Sequence, residues 1–167
     1  IYIELNSKSS GVEGARAILE FLKQGIAIKL EKTKELKYIK LIDFKNIEKK
    51  IENKVDLQRI LKFSKNPDTP LLGIINRLTA QKGVDLIIEI IPEIVRLNCQ
   101  LVILGVGKED YEKRLLWFSH KYSKNISVHI KFDPVLAQQI YGGCDLFLIP
   151  SRFEPCGLGQ MIAMRYG

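Results

Sequence analysis

From Leu71 onward, short unbroken apolar runs alternate with longer stretches of helical period, and few folds accommodate that order. The runs at 71–75, 100–104, 126–132 and 145–149 read as strands, and the stretches at 84–97, 110–122, 134–141 and 158–166 read as helices. Strands without polar alternation are buried on both faces, which is the condition of a parallel sheet. Strand and helix in strict turn mean βαβ units with right-handed crossovers, so the expected class is α/β: a Rossmann-like parallel sheet with helices on both faces. Pro92 falls inside the first of these helices and marks a place where it can kink.

In an open parallel sheet, ligands bind at the carboxyl ends of the strands. The segment after the fourth strand there is P-S-R-F-E-P-C-G-L, Pro150 to Leu158. The following helix presents unpaired N–H groups and a partial positive charge, so an anion is the natural guest. Gly157 lets the backbone approach a phosphate, and Pro155 suits a first helical turn. Glu154 is the odd member, because a carboxylate beside an anion needs a neutral partner such as a sugar hydroxyl. A capped helix start accounts for the same residues equally well. After the first strand comes N-R-L-T-A-Q-K-G, where Arg77 and Lys82 have the residue types to chelate a diphosphate, one by a planar fork and one as a point charge. After the second strand, L-G-V-G-K-E-D is a glycine turn, but Glu109 and Asp110 break the dinucleotide-binding fingerprint and disfavour a dehydrogenase. Phe132, closing the third strand, reads either as a base-stacking face or as a core-edge residue.

Residues 1–65 carry fewer signals. The strand-like start at 2–5, a helix at 12–24, a strand at 26–30, paired apolar residues from Tyr38 to Phe44 and a helix at 47–63 are expected. In the last of these, Ile51, Val55, Leu57, Ile60 and Leu61 form the apolar set. Ser64 to Pro70, with two prolines, Asn and Asp, reads as a boundary, dividing the chain into a segment and linker at 1–65 and a domain at 66–167. The net charge of +7 lies mostly in residues 1–68, with 15 basic and 10 acidic side chains. Those lysines interleave with Glu, Ile and Leu, which favours a solvated face over a nucleic-acid surface. There is no run of about 18 apolar residues, so no membrane partner is expected. Cys99, Cys144 and Cys156 are odd in number and widely spaced, which suits a reducing compartment and neither a disulfide framework nor a zinc site. His120 and His129 stand nine positions apart without further ligands, so no metal is expected, and Cys156 has no nearby histidine to serve as a base.

The S-R-F-E-P-C-G-L segment followed by Gln160 and A-M-R-Y-G, the R-L-T-x-Q-K-G segment followed by Asp85, and the G-x-G turn occur in an order that resembles the bacterial-type glycogen synthases and plant starch synthases. The similar part is the C-terminal, nucleotide-sugar-binding half of these retaining GT-B glycosyltransferases. Residues 47–69 resemble the linker into that half, and residues 1–46 do not resemble the corresponding family segment. The chain starts on Ile and, by this resemblance, stops before the next strand, so it is expected to be a fragment lacking the acceptor lobe and its K-T-G-G-L segment.

The resemblance implies that Arg77 and Lys82 hold the donor diphosphate, that Glu154 meets the glucose hydroxyls, and that these three form the catalytic set. It further implies that Gly105 and Gly107 let the backbone pass close to the nucleotide and that Phe132 takes the place of a usual tyrosine on adenine. Backbone N–H groups around Cys156, Gly157, Leu158 and Gly159 would hold the distal phosphate. It implies no cofactor and no metal, ADP-glucose or UDP-glucose as donor, an α-1,4-glucan acceptor bound through the other lobe, and a cytoplasmic or, in a plant or alga, plastid location. Three positions depart from the pattern or its relatives: Gly159 replaces a usual Thr, Lys131 a usual Gly, and Ile162 the second Glu of the E-x7-E motif of related transferases. Catalysis by this chain alone is not expected. The alternatives are a non-catalytic nucleotide- or partner-binding module with a degenerate donor site, and another GT-B hexosyltransferase such as a sucrose synthase, against which Ile162 argues.

Overall fold

The computed structural model describes residues 2–4 and 47–167. The helix expected at 12–24, the strand at 26–30 and the paired apolar residues from Tyr38 to Phe44 lie outside the described residues.

Strand β1 is Tyr2–Glu4, and a 3-10 turn at Ile47–Lys49 leads into helix α1, Lys50–Ile60. Then follow β2 (Leu71–Ile75), a 3-10 turn (Ala80–Lys82), α2 (Val84–Arg96), β3 (Gln100–Leu104) and α3 (Glu109–Lys121). The chain continues through β4 (Ile126–His129), α4 (Pro134–Gly143), β5 (Leu146–Ile149) and α5 (Leu158–Tyr166). All strand pairs are parallel, in the order β1-β5-β2-β3-β4. From β2 the chain moves outward to β3 and β4, then returns to the opposite flank of β2 as β5. The order therefore reverses between β2 and β5, and such a switch point opens a crevice beyond the carboxyl ends of the two strands.

Alternation along each strand divides the core in two. Leu72, Ile74, Leu101, Ile103, Ile126 and Leu148 pack with Leu86, Ile87, Ile90, Ile91 and Ile94 of α2 and Leu115 of α3. Leu71, Val102, Leu104, Phe147 and Ile149 pack on the other face with Leu57 of α1 and Leu136 and Ile140 of α4. Both faces are covered, as a parallel sheet requires. Helix α2 runs through Pro92 without interruption. The third predicted strand proves shorter, ending at His129, because Asp133 already caps α4 by accepting a hydrogen bond from the Leu136 N–H at 2.9 Å.

Helix α1 departs from its sequence reading. Ile51 and Ile60 are exposed, while the buried face carries Asn53, Lys54, Leu57 and Gln58. The reason is polar bonding to the linker. Gln58 Nε2 donates to Gln100 Oε1 at 2.8 Å and to the Asn66 carbonyl at 2.9 Å, and its Oε1 accepts from the Asn66 N–H at 3.1 Å. Lys54 donates to the Pro67 carbonyl at 2.6 Å and pairs with Asp145 at 2.6 Å, while Asp145 also accepts from the Leu71 N–H. Polar side chains that find hydrogen-bond partners in this way can be buried. Leu57 meets α4 at Gly143, where an added Cβ would lie 2.9 Å from two of its carbons.

Candidate functional site

Two loops meet beyond the switch point: residues 76–83 after β2, and residues 150–157 after β5. Gly83, at φ +69°, brings them into contact, since an added Cβ would overlap the Pro150 carbonyl oxygen. Around that contact the loops are bonded together. The Arg152 N–H donates to the Gln81 carbonyl at 2.9 Å, and its guanidinium donates to the Ala80 carbonyl at 2.6 Å. The same guanidinium binds both Asp85 oxygens at 2.7 Å each, a planar fork on a carboxylate. Burial alone would raise the Asp85 carboxyl, but the hydrogen bonds and charge of Arg152 outweigh it and leave its pKa below the ordinary value.

Beside this pair, Lys82 Nζ lies 2.6 Å from Glu154 Oε2, with side chains 10% and 20% exposed. Ser151, itself buried, donates from Oγ to the same oxygen at 3.1 Å. The hydrogen bond from Lys82 is the main reason that the Glu154 carboxyl is held below its ordinary value, with Ser151 and the Gly157 N–H adding to it against burial. Two residues that the resemblance assigns to different parts of a ligand, its diphosphate and its sugar, thus bond each other here. Gly157, at φ +65°, opens α5, so Pro155 stands in the turn ahead of the helix and not in its first turn. Cys156 and Leu158 are exposed, and Gly159 has room above it, with Ile149 Cδ1 at 3.7 Å and the Tyr141 hydroxyl at 3.9 Å from an added Cβ.

Next to these loops, at the carboxyl ends of β2 and β3, lies a cleft of about 420 Å³. Arg77, Gly105, Phe132, Tyr141, Ile162 and Tyr166 are among its lining residues, so α5 forms part of its wall. Phe132 is 90% exposed, which removes the core-edge reading. It stands between Lys131 and Asp133, whose side chains pair at 2.7 Å, and the capping bond to Leu136 holds the Asp133 carboxyl below its ordinary value, helped by Lys131. Tyr141 packs against Phe147 and Tyr166 at ring-centroid distances of 4.7 and 5.5 Å, and burial pushes its phenol up to about 12.

The glycines of the turn after β3 carry a further constraint. Leu78 bridges to Gly107 in parallel register, with the Leu78 N–H donating to Val106 and the Lys108 N–H donating to Leu78, both at 2.9 Å. A Cβ on Gly105 would overlap the Asn76 carbonyl oxygen, and one on Gly107 the Leu78 carbonyl oxygen. The close approach that demands glycine here is already made by the protein's own backbone.

The fold therefore gathers the sequence-predicted residues into two adjoining groups. Arg77, Gly105 and Phe132 line the cleft; Lys82, Glu154, Cys156, Gly157, Leu158 and Gly159 occupy the loop pair and the start of α5. Sequence reasoning did not find Arg152 with Asp85, Ser151, or the wall residues Tyr141 and Tyr166. An Asp in the first turn of a helix reads as a dipole-favoured residue, and its partner lies 67 positions away. Among the described residues, no three His, Cys, Asp or Glu side chains gather to hold a metal ion, and no helix is long and apolar enough to cross a membrane.

Comparison with known proteins agrees with this architecture. The chain is 51% identical over 125 residues to the glycogen synthase of Clostridium novyi, covering 75% of this chain and 26% of that protein. It is 52% identical over 118 residues to the glycogen synthase of Streptococcus equi subsp. equi, covering 71% and 25%. It thus spans about a quarter of the length of these curated relatives. Among solved structures, the catalytic domain of starch synthase IV from Arabidopsis thaliana, bound to ADP and acarbose, superposes with a TM-score of 0.73 at 33% identity, covering 96% of this chain and 35% of that one. The parallel α/β architecture is accordingly that found in a GT-B fold. Residues 58–167 match the family described as Glycosyl transferases group 1, and this chain belongs to that family.

Proposed function

We propose that this chain is the donor-binding part of a glycogen or starch synthase whose whole protein transfers glucose from ADP-glucose to the non-reducing end of an α-1,4-glucan with retention. The observation that carries the reading is the conjunction at the switch point: a cleft with an exposed aromatic face, adjoining a loop pair that holds Arg77, Lys82 and Glu154. A nucleoside stacks on Phe132 within the cleft, and its diphosphate extends toward Arg77, Lys82 and the N-terminus of α5. The positive charge that stabilises the departing diphosphate comes from these groups, fixed in place before reaction, so the reading takes no metal and no cofactor. Glu154 faces the sugar hydroxyls, and Lys82 moves from sharing its charge with Glu154 alone to sharing it with phosphate. The ADP held by the Arabidopsis enzyme supports adenine as the base, with UDP-glucose as the competing donor. The acceptor glucan binds the lobe that this chain does not contain, and the setting is a reducing one, cytoplasmic or plastid.

The test is primer extension by the whole protein with ADP-glucose and UDP-glucose in parallel, with and without a chelator. Extension from ADP-glucose that survives chelation is expected. No extension from either donor would overturn the reading, and extension lost on chelation would overturn its metal independence.

A further inference from the structure

Outside the residues that would touch a donor, the strongest polar feature of the switch point is the fork of Arg152 on Asp85. Arg152 lies on the loop after β5 and Asp85 in the first turn of α2, just past the loop after β2, and every polar bond that Arg152 makes here crosses between these two segments: backbone to Gln81, guanidinium to the Ala80 carbonyl and to both Asp85 oxygens. Lys82 is two residues past Ala80, and Glu154 is two residues past Arg152. Each half of the Lys82–Glu154 pair is therefore fastened, a short distance along the backbone, to the same guanidinium. Gly83 adds the steric part, allowing the Pro150 carbonyl to sit against it. A planar fork fixes distance and angle together, which a lysine in the same place would not.

We propose that Arg152 and Asp85 are positioning residues: a clamp that sets the separation of the two donor loops and so presents Lys82 and Glu154 to a diphosphate at one fixed spacing. The proposal rests on the donor-site reading above and deepens it, because a clamp acting on Lys82 and the start of α5 governs recognition of the distal phosphate more than that of the base. The ligand class it selects is a nucleoside diphosphate over the corresponding monophosphate.

Two measurements test it. The first needs no ligand: carbon-detected NMR titration of the Glu154 carboxyl in the wild-type chain and in Arg152→Ala, Arg152→Lys and Asp85→Asn. Lys82, the Ser151 hydroxyl and the Gly157 N–H are the groups that face this carboxyl. With the clamp opened, the Lys82 contact loosens and the Glu154 pKa rises toward its ordinary value of 4.5 in all three variants, least in Arg152→Lys. An unchanged titration in a variant whose circular dichroism matches wild type overturns the clamp. Arg152→Lys keeps the charge and loses only the fork, so it carries the test if Arg152→Ala does not fold. The second measurement is calorimetric binding of ADP and AMP. The variants are expected to lose ADP affinity on the order of tenfold, as for a charge-assisted contact that is weakened but not removed, while AMP affinity stays at the wild-type value. A wild-type ADP to AMP ratio in the variants overturns the clamp and leaves the donor site standing. No ADP binding by the wild-type chain sinks the donor-site reading instead, and the titration still decides the clamp.

Discussion

Gly107→Ala isolates the reason that the turn after β3 carries glycine. Gly107 is not among the positive-φ glycines, so alanine meets no backbone penalty of its own and the cost is contact alone. The added Cβ would overlap the carbonyl oxygen of Leu78 and lie 2.7 Å from its Cα, and all three of its nearest neighbours are backbone atoms that cannot rotate away. Relief requires the 76–79 loop to move off the turn, which breaks the hydrogen bonds from the Leu78 N–H to Val106 and from the Lys108 N–H to Leu78. At about 1 kcal/mol net for each bond, and with part of the roughly 1.5–3 kcal/mol for burying Leu78 lost as well, destabilisation of about 2–4 kcal/mol follows. For a chain of this size that is a fall in Tm of roughly 5–15 °C. Thermal and urea unfolding followed by circular dichroism, without nucleotide, provide the assay. If glycine were needed only for approach of a nucleotide, the variant would unfold within about 0.5 kcal/mol of wild type, and that result would refute the backbone argument.

Three further outcomes follow from the same geometry. Because Lys82 holds the Glu154 carboxyl below its ordinary value, the folded state releases that proton more readily than the unfolded chain does. The stability this pair contributes is therefore present above about pH 4.5 and lost as pH falls through the lowered folded value; the gap between wild type and Lys82→Met in urea unfolding should be widest near neutrality and close in acid. Gly159→Ala should stabilise by up to about 1 kcal/mol, since an added Cβ finds ordinary contact distances and a helical glycine is replaced; a loss of stability in the same unfolding assay would contradict it. Phe132→Ala, at a position 90% exposed, should leave Tm unchanged while weakening nucleotide binding by about 1–3 kcal/mol in calorimetry, the usual worth of a stacked base; unchanged affinity would remove the stacking role.

The βα alternation was legible because both signals it needs are local. Leu71–Ile75 and Gln100–Leu104 are unbroken apolar runs of strand length, and the strand bounds there coincide with the runs. Where a long-range partner decides, the sequence misleads. The apolar periodicity of α1 points to Ile51 and Ile60, yet Gln58 is the fully buried residue because Gln100, 42 positions on, and the linker carbonyls complete its bonds. The site followed the same division. Arg77, Lys82 and Glu154 stood out by residue type at strand ends, whereas the bond between Lys82 and Glu154 and the fork of Arg152 on Asp85 exist only through the return of β5 beside β2. Gly105 and Gly107 were found as glycines for which a close approach matters, but the approaching group is the backbone of residues 76–78.

The most direct test of the central claim, that the crevice between β2 and β5 with its adjoining cleft is a nucleotide-sugar donor site, is calorimetric titration of this chain and its Arg77→Ala variant with ADP-glucose. Arg77 is exposed at the cleft and no ion pair engages it among the described residues, so its removal should leave the fold intact. Saturable binding by the wild-type chain that falls by an order of magnitude or more in Arg77→Ala, as expected for loss of a charge-assisted contact worth about 1.5–3 kcal/mol, is the predicted result. Binding unchanged by Arg77→Ala, or none at all by a chain that circular dichroism shows to be folded, would contradict it.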